Sequence, residues 1–225
     1  MTKLQFRAFA TPNRAVRQAQ VLSPKQVARL VSCAKRGMNA ERDVVGVYLS
    51  FYCGLRAAEI AGIRWIENIL DAEGEVRDYI QITGDIGKNS VARTLHIPPE
   101  MVKALKALRK AEPTMDYVFH PIKGRYRLRP ADKIGASAVA QWFRRFYAAY
   151  GFEGCSSHSG RRSYITQSLR DAPLNGCSIR DVQLMAGHRS MQTTAGYAEP
   201  SESQVQMIDN LYSTPAARPR LKVAA

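Results

Sequence analysis

Two arginines, two histidines, a turn lysine and a tyrosine are the residues whose types and spacing could act on a phosphate. Arg161 closes the segment His158-Ser-Gly-Arg161, and His188 opens a run, His188-Arg-Ser-Met-Gln-Thr-Thr194-Ala-Gly-Tyr197, that reaches a tyrosine nine residues later. A guanidinium group can grip two phosphate oxygens through its planar fork of donors. Imidazoles can donate to non-bridging oxygens or move protons. A phenol can be a nucleophile and form a covalent intermediate. Upstream, Gly54-Leu-Arg56-Ala-Ala-Glu59 adds a second arginine beside a carboxylate, and Lys88 stands in the turn Gly84-Asp-Ile-Gly87-Lys88-Asn-Ser. Two pre-placed cations would stabilise a phosphorane-like transition state, whose equatorial oxygens gather charge, more than the ground state. Each residue alone has an ordinary alternative. Arg56 could sit in a surface ion pair with Glu59, a turn lysine is usually solvated, and a lone histidine commonly packs in a core. Ten tyrosines are present, and most tyrosines are half-buried packing residues.

Helices, one hairpin and several loops must position these groups. Ser23-Pro24-Lys-Gln26 is a helix start, with Ser as N-cap, Pro at the first position and Gln at the third. Val27, Leu30, Val31 and Ala34 follow at helical spacing, and Gly37 ends the run. A second, buried helix is expected near Glu41 to Cys53, and a short one carrying Arg56 and Glu59. Asp78 to Thr83 and Arg93 to Ile97 alternate with strand period around the Lys88 turn. Pro98-Pro99 starts a helix with Val102, Leu105 and Leu108 on one face. Residues 121–135 read as a loop, and a helix near Ser137 to Tyr150 turns Val139, Trp142, Phe143 and Phe146 inward. Short helices fill the remainder, with capping boxes at Ser178-x-x-Asp181 and Ser201-x-x-Gln204.

In order and spacing these motifs resemble the catalytic domain of the tyrosine recombinase, or phage integrase, family. That family carries an Arg in a G-L-R-x-x-E segment, a Lys in a β-turn, an H-x-x-R pair, a later G-H and a downstream Tyr. The resemblance runs from about Leu22 to about Tyr212. It implies an α+β fold, mostly helical with a small antiparallel sheet. It also implies roles. Tyr197 would be the nucleophile, Arg56 and Arg161 the phosphate clamp, His158 and His188 donors or a proton relay, and Lys88 the acid that protonates the leaving 5′ oxygen. Glu59 would orient Arg56. The implied reaction is site-specific cleavage and rejoining of DNA through a 3′-phosphotyrosyl link, on a synaptic tetramer, without metal or other cofactor. Two details depart from the family's usual pattern: Gly160 stands where a Leu is common, as does Ala186. Gly160 is expected to loosen the helix that aims Arg161.

Three regions are expected: a basic arm over residues 1–21, a catalytic domain over 22–212 and a loose tail over 213–225. Family members usually carry a helical DNA-clamping domain ahead of the catalytic one, and about twenty residues stand in that place here. The formal net charge of +14 favours a polyanionic partner. Double-stranded DNA would be met by Lys3, Arg7, Arg14 and Arg17 of the arm and by Arg93, with an accessory DNA-binding protein as a possible helper. Cys33, Cys53, Cys155 and Cys177 form no CxxC pair or metal-ligand grouping and read as reduced thiols. The first twenty residues hold no signal-peptide core, and no apolar run is long enough to span a bilayer. The expected setting is the cytoplasm of a prokaryote, on the nucleoid, in the service of a mobile element. A type IB topoisomerase-like enzyme shares the catalytic set, and a DNA-binding regulator derived from a recombinase is an alternative of another class.

Overall fold

A computed structural model describes residues 18–86, 91–122 and 128–198. The N-terminal arm through Arg17, the turn residue Lys88, the Ser201 capping box and Tyr212 lie outside the described residues.

Helix α1, Pro24–Ala34, begins as its sequence dictates: the Ser23 side chain accepts from the Gln26 N–H, and the Gln26 side chain returns to the Ser23 backbone. Helix α2, Ala40–Phe51, is buried on nearly every face. It forms the centre of the main core, with Val45 and Leu49 fully inaccessible. Helix α3, Ala57–Gly62, is a short segment after the Gly54 turn. A π-helical turn, Trp65–Ile69, follows it. Strands β1, Tyr79–Ile82, and β2, Arg93–His96, pair antiparallel, with Ile80 opposite Leu95 and Ile82 opposite Arg93. Ile80, Ile82 and Leu95 turn into the core, as the period-2 alternation requires.

Helix α4, Pro99–Ala111, lays Met101, Leu105 and Leu108 against α2. Helix α5, Ala136–Ala149, packs on α3 and buries Val139, Phe143, Phe146 and Tyr147. Trp142 stacks on Phe146 and meets Phe119 edge-on, each at 5.0 Å between ring centroids. Burying a large apolar side chain contributes about 1.5–3 kcal/mol, so this aromatic layer anchors α5 firmly.

Helix α6, Ser159–Asp171, crosses α2; helices α7, Ile179–Ala186, and α8, Met191–Ala195, complete the described chain. Ile165, Ala172, Val182 and Ala186 make a second, much smaller core, against which Tyr197 packs. The chain is thus mostly helical with one small antiparallel sheet, as expected. The 178–181 capping box is present, and four of the strand residues fall within each expected run. The π-helical turn was not foreseen. It is held by the Asn68 side chain, which accepts from the Arg64 N–H at 2.7 Å and donates to the Gln81 carbonyl at 2.8 Å.

Candidate active site

Arg56 is the N-cap residue of α3, and its backbone N–H donates to the Glu59 carboxylate at 2.9 Å. The Arg56 guanidinium also reaches Glu59, at 3.4 Å, while remaining about one-third exposed (34%). Glu59 is therefore both a helix cap and an anchor for the arginine. It is buried, and burial alone would raise its pKa. Hydrogen bonds from Arg93, the charge of Arg93, the Arg56 N–H and the charge of Arg56 together outweigh that and hold the carboxyl below its ordinary range.

Arg93 is the residue that the sequence placed wrongly. The expectation is that it meets double-stranded DNA, yet its side chain is only 5% exposed. Nη1 and Nη2 donate to the two Glu59 oxygens at 3.1 and 3.3 Å. Nε donates to the Met185 carbonyl at 3.0 Å, and Nη1 also to the Val91 carbonyl at 3.1 Å. One buried side chain thus ties the hairpin to α3 and to the C-terminal end of α7. A positive charge is visible in sequence; the carboxylate that receives it, 34 residues upstream, is not.

Arg161 enters from the first turns of α6 and is buried. Its guanidinium donates to the Gly54 carbonyl at 2.7 Å and the Ala186 carbonyl at 2.6 Å, which joins the α2–α3 turn to the end of α7. Burial, then the Arg56 charge, pushes it down to about 10, with Glu59 and Tyr197 acting in the opposite sense. It still carries its charge near neutrality. Gly160 does not loosen this helix. It lies where α6 crosses α2, and a Cβ there would overlap the Ser50 hydroxyl and come within 2.9 Å of the Ser50 carbonyl carbon. The missing side chain lets the helices approach closely.

His188 follows Gly187, which caps α7 at φ +64° and lies against the Arg93 guanidinium, 2.7 Å from where a Cβ would stand. A left-handed backbone and that close approach both require glycine. The His188 ring is buried and stacked on Tyr197, with centroids 5.6 Å apart and planes at 22°. Its Nδ1 lies 2.9 Å from Thr194 Oγ1. Burial and then the charges of Arg161, Arg56 and Arg93 push it down to about 4, so the imidazole is neutral at physiological pH.

Tyr197 is half-buried, and its carbonyl accepts from Thr166 at 3.5 Å. His158 is the exposed N-cap residue of α6, one turn before Arg161. Arg56, Glu59, Arg161, His188 and Tyr197 are thus brought together from four separate segments, with Arg93 joining them. Three guanidinium groups meet one carboxylate, so the cluster carries a positive surplus suited to a phosphodiester. His96 and His120 lie elsewhere: the former is exposed on β2, the latter buried with its carbonyl accepting from Arg42. All four cysteines are free thiols. Among the described residues no group of His, Cys, Asp and Glu could hold a metal ion, and no helix is long and apolar enough to cross a membrane.

The family model described as "Phage integrase family" matches residues 20–204. Among curated proteins, the chain is similar to tyrosine recombinase XerC of Caldanaerobacter subterraneus subsp. tengcongensis, 24% identical over 212 residues, which covers 93% of this chain and 56% of the relative. The chain spans little more than half the length of the curated relatives it matches first. Among solved structures, XerA recombinase aligns with a TM-score of 0.63 at 21% identity, covering 87% of this chain and 65% of that one. The Tn1549 transposon integrase in complex with a circular intermediate DNA aligns at 0.65 with 15% identity, covering 88% and 67%. At these identities the structural likeness shows the fold.

Proposed function

The chain belongs to the phage integrase family, and from that premise we propose that it breaks and rejoins DNA strands at specific sites. Tyr197 Oη attacks the scissile phosphorus and gives up its proton to solvent as the new P–O bond forms. The bond to the 5′ oxygen breaks, and that oxygen leaves as a hydroxyl, taking a proton for which Lys88 is the proposed donor. A 3′-phosphotyrosyl link results. The 5′-hydroxyl of a partner strand then attacks this link, restores a phosphodiester and releases the tyrosine. Arg56 and Arg161 neutralise the charge gathered in each transition state, with His158 and His188 beside them. The substrate is duplex DNA, in keeping with the +14 charge and with the basic residues Lys3, Arg7, Arg14 and Arg17; the working assembly is a tetramer on two synapsed sites.

The observation that carries this reading is the buried Arg161 guanidinium, which feels the charges of both Arg56 and Tyr197, with the Tyr197 ring stacked against His188. A surface ion pair would not need a second, buried arginine held by two carbonyls. The test is covalent trapping. The full chain is incubated with sheared host genomic DNA and quenched in detergent, and DNA-linked protein is digested and mapped. We expect a nucleotide-bearing peptide that contains Tyr197, and its loss in Tyr197→Phe with DNA binding retained. DNA binding without any adduct would favour the regulator reading, and an adduct on another tyrosine would overturn the assignment.

A further inference from the structure

We propose that Thr194 is a positioning residue that holds the His188 ring as its Nε2–H tautomer, so that His188 meets substrate as a hydrogen-bond donor and not as a base. The role in catalysis rests on the strand-transfer reading above; the tautomer does not.

The inference follows from counting protons in a buried place. Thr194 is fully inaccessible, and its Oγ1 lies 2.9 Å from His188 Nδ1. Among the described residues, the Thr194 hydroxyl has no other hydrogen-bond partner. A hydroxyl has one proton to give and two lone pairs, and a neutral imidazole has one N–H and one bare nitrogen. Two arrangements fit the distance. If Nδ1–H donated to Thr194, the hydroxyl proton would be buried with no acceptor. If Thr194 donates to a bare Nδ1, the buried hydroxyl proton has its acceptor, and the ring hydrogen falls on Nε2, which is not among the buried side-chain atoms left without a partner. An undonated buried hydroxyl is the costlier state, so the geometry selects the second arrangement, and the ring hydrogen must sit on Nε2.

The doubly protonated ring is excluded on the same ground, since it would also turn Nδ1–H toward Thr194. The charged groups around the ring agree: Arg161, Arg56 and Arg93 oppose a further positive charge, with Glu59 alone acting the other way. Stacking on Tyr197 from one side and the Thr194 bond at Nδ1 leave the ring little freedom to flip. The Gln183 side chain fixes the backbone beneath it, donating to the His188 carbonyl at 2.8 Å. Nε2 already holds a hydrogen, so the ring cannot accept the Tyr197 proton there. It can donate to a non-bridging phosphate oxygen.

Nitrogen NMR of the full chain, labelled with 15N-histidine and without DNA, tests this directly. At pH 7 the two-bond proton–nitrogen pattern of His188 should show Nε2 as the protonated nitrogen and Nδ1 as the bare one. Thr194→Val removes the hydroxyl and should shift the ring toward a mixture of tautomers. Thr194→Ser keeps the hydroxyl and should preserve the wild-type pattern. Adduct formation should fall by about tenfold in the Val variant, the worth of one net hydrogen bond, and recover in the Ser variant. A protonated Nδ1 in the wild-type chain, or a Val variant with an unchanged tautomer, overturns the proposal. If the Val variant does not fold, the wild-type and Ser patterns still decide it. Failure of every variant to form adduct counts against strand transfer and leaves the tautomer measurement standing.

Discussion

Charge removal at the buried pair Glu59–Arg93 should be far less harmful when both partners go than when either goes alone. Both side chains are nearly inaccessible, at 1% and 5%, so solvent does little to screen them. Glu59→Gln leaves the Arg93 guanidinium buried without its counter-charge. Such a loss typically costs about 3–5 kcal/mol; the amide oxygen can keep one bond, which places the expected loss near ~3 kcal/mol. Arg93→Met takes the more buried of two cations from the carboxylate, which keeps Arg56, and also abandons the Met185 and Val91 carbonyls, so ~3 kcal/mol is again expected. With a total stability of about 5–15 kcal/mol, each variant should fold but show a much earlier urea midpoint, by roughly 1.5 M for a slope near 2 kcal/mol/M. The double variant removes both charges, and its loss should fall short of the summed single losses by at least ~2 kcal/mol. Adduct formation should not recover with stability, because neither Gln nor Met restores the charge that opposes Arg56 or the tether to the end of α7. Strictly additive losses in the urea titrations would refute the pairing. Recovery of adduct together with stability would show the pair to be a scaffold alone.

Two further outcomes follow from the same cluster. His188 is held down from its ordinary 6.5 to about 4, so below pH 6.5 the unfolded chain binds a proton that the folded chain refuses. Stability should be intact above that pH and fall as pH drops from 6.5 toward 4; the difference in thermal midpoint between wild type and His188→Asn across that window isolates the effect, and a difference that does not change with pH contradicts it. Gly160→Ala should push α6 off Ser50 and cost about 1–3 kcal/mol by overpacking. Adding Ser50→Gly should restore only part of this in denaturant titration, since the backbone approach at Ser50 remains.

The residues legible in sequence were those whose chemistry or partner lies close along the chain. The Ser23–Gln26 and Ser178–Asp181 boxes close within one helical turn, so residue type and spacing were enough. The strand pair was legible because alternation sets which residues face inward. The π-helical turn was not, because the Asn68 side chain that holds it reaches to Gln81, on a strand formed later in the chain. Arg93 shows the same limit more sharply. As a letter it is one of 33 lysines and arginines in a strongly basic chain, and its surplus charge pointed outward to a polyanion. Folding gives it Glu59, and the pairing reverses the inference: a cation with a buried counter-charge is spent inside the protein. Gly160 was misjudged for a related reason. Helix propensity counts the missing side chain as a local loss, whereas the approach of Ser50, more than a hundred residues away, makes it a requirement. In the sequence Thr194 is simply part of the run between His188 and Tyr197. Its relation to His188 spans six residues across the end of one helix and the start of another, so no single element's periodicity brings the two together. Which nitrogen of His188 carries the hydrogen therefore depends on how α7 gives way to α8, and so on the left-handed turn at Gly187. A change at that glycine would move Nδ1 away from Thr194 and press a side chain onto Arg93, disturbing the histidine and the Glu59 pair together.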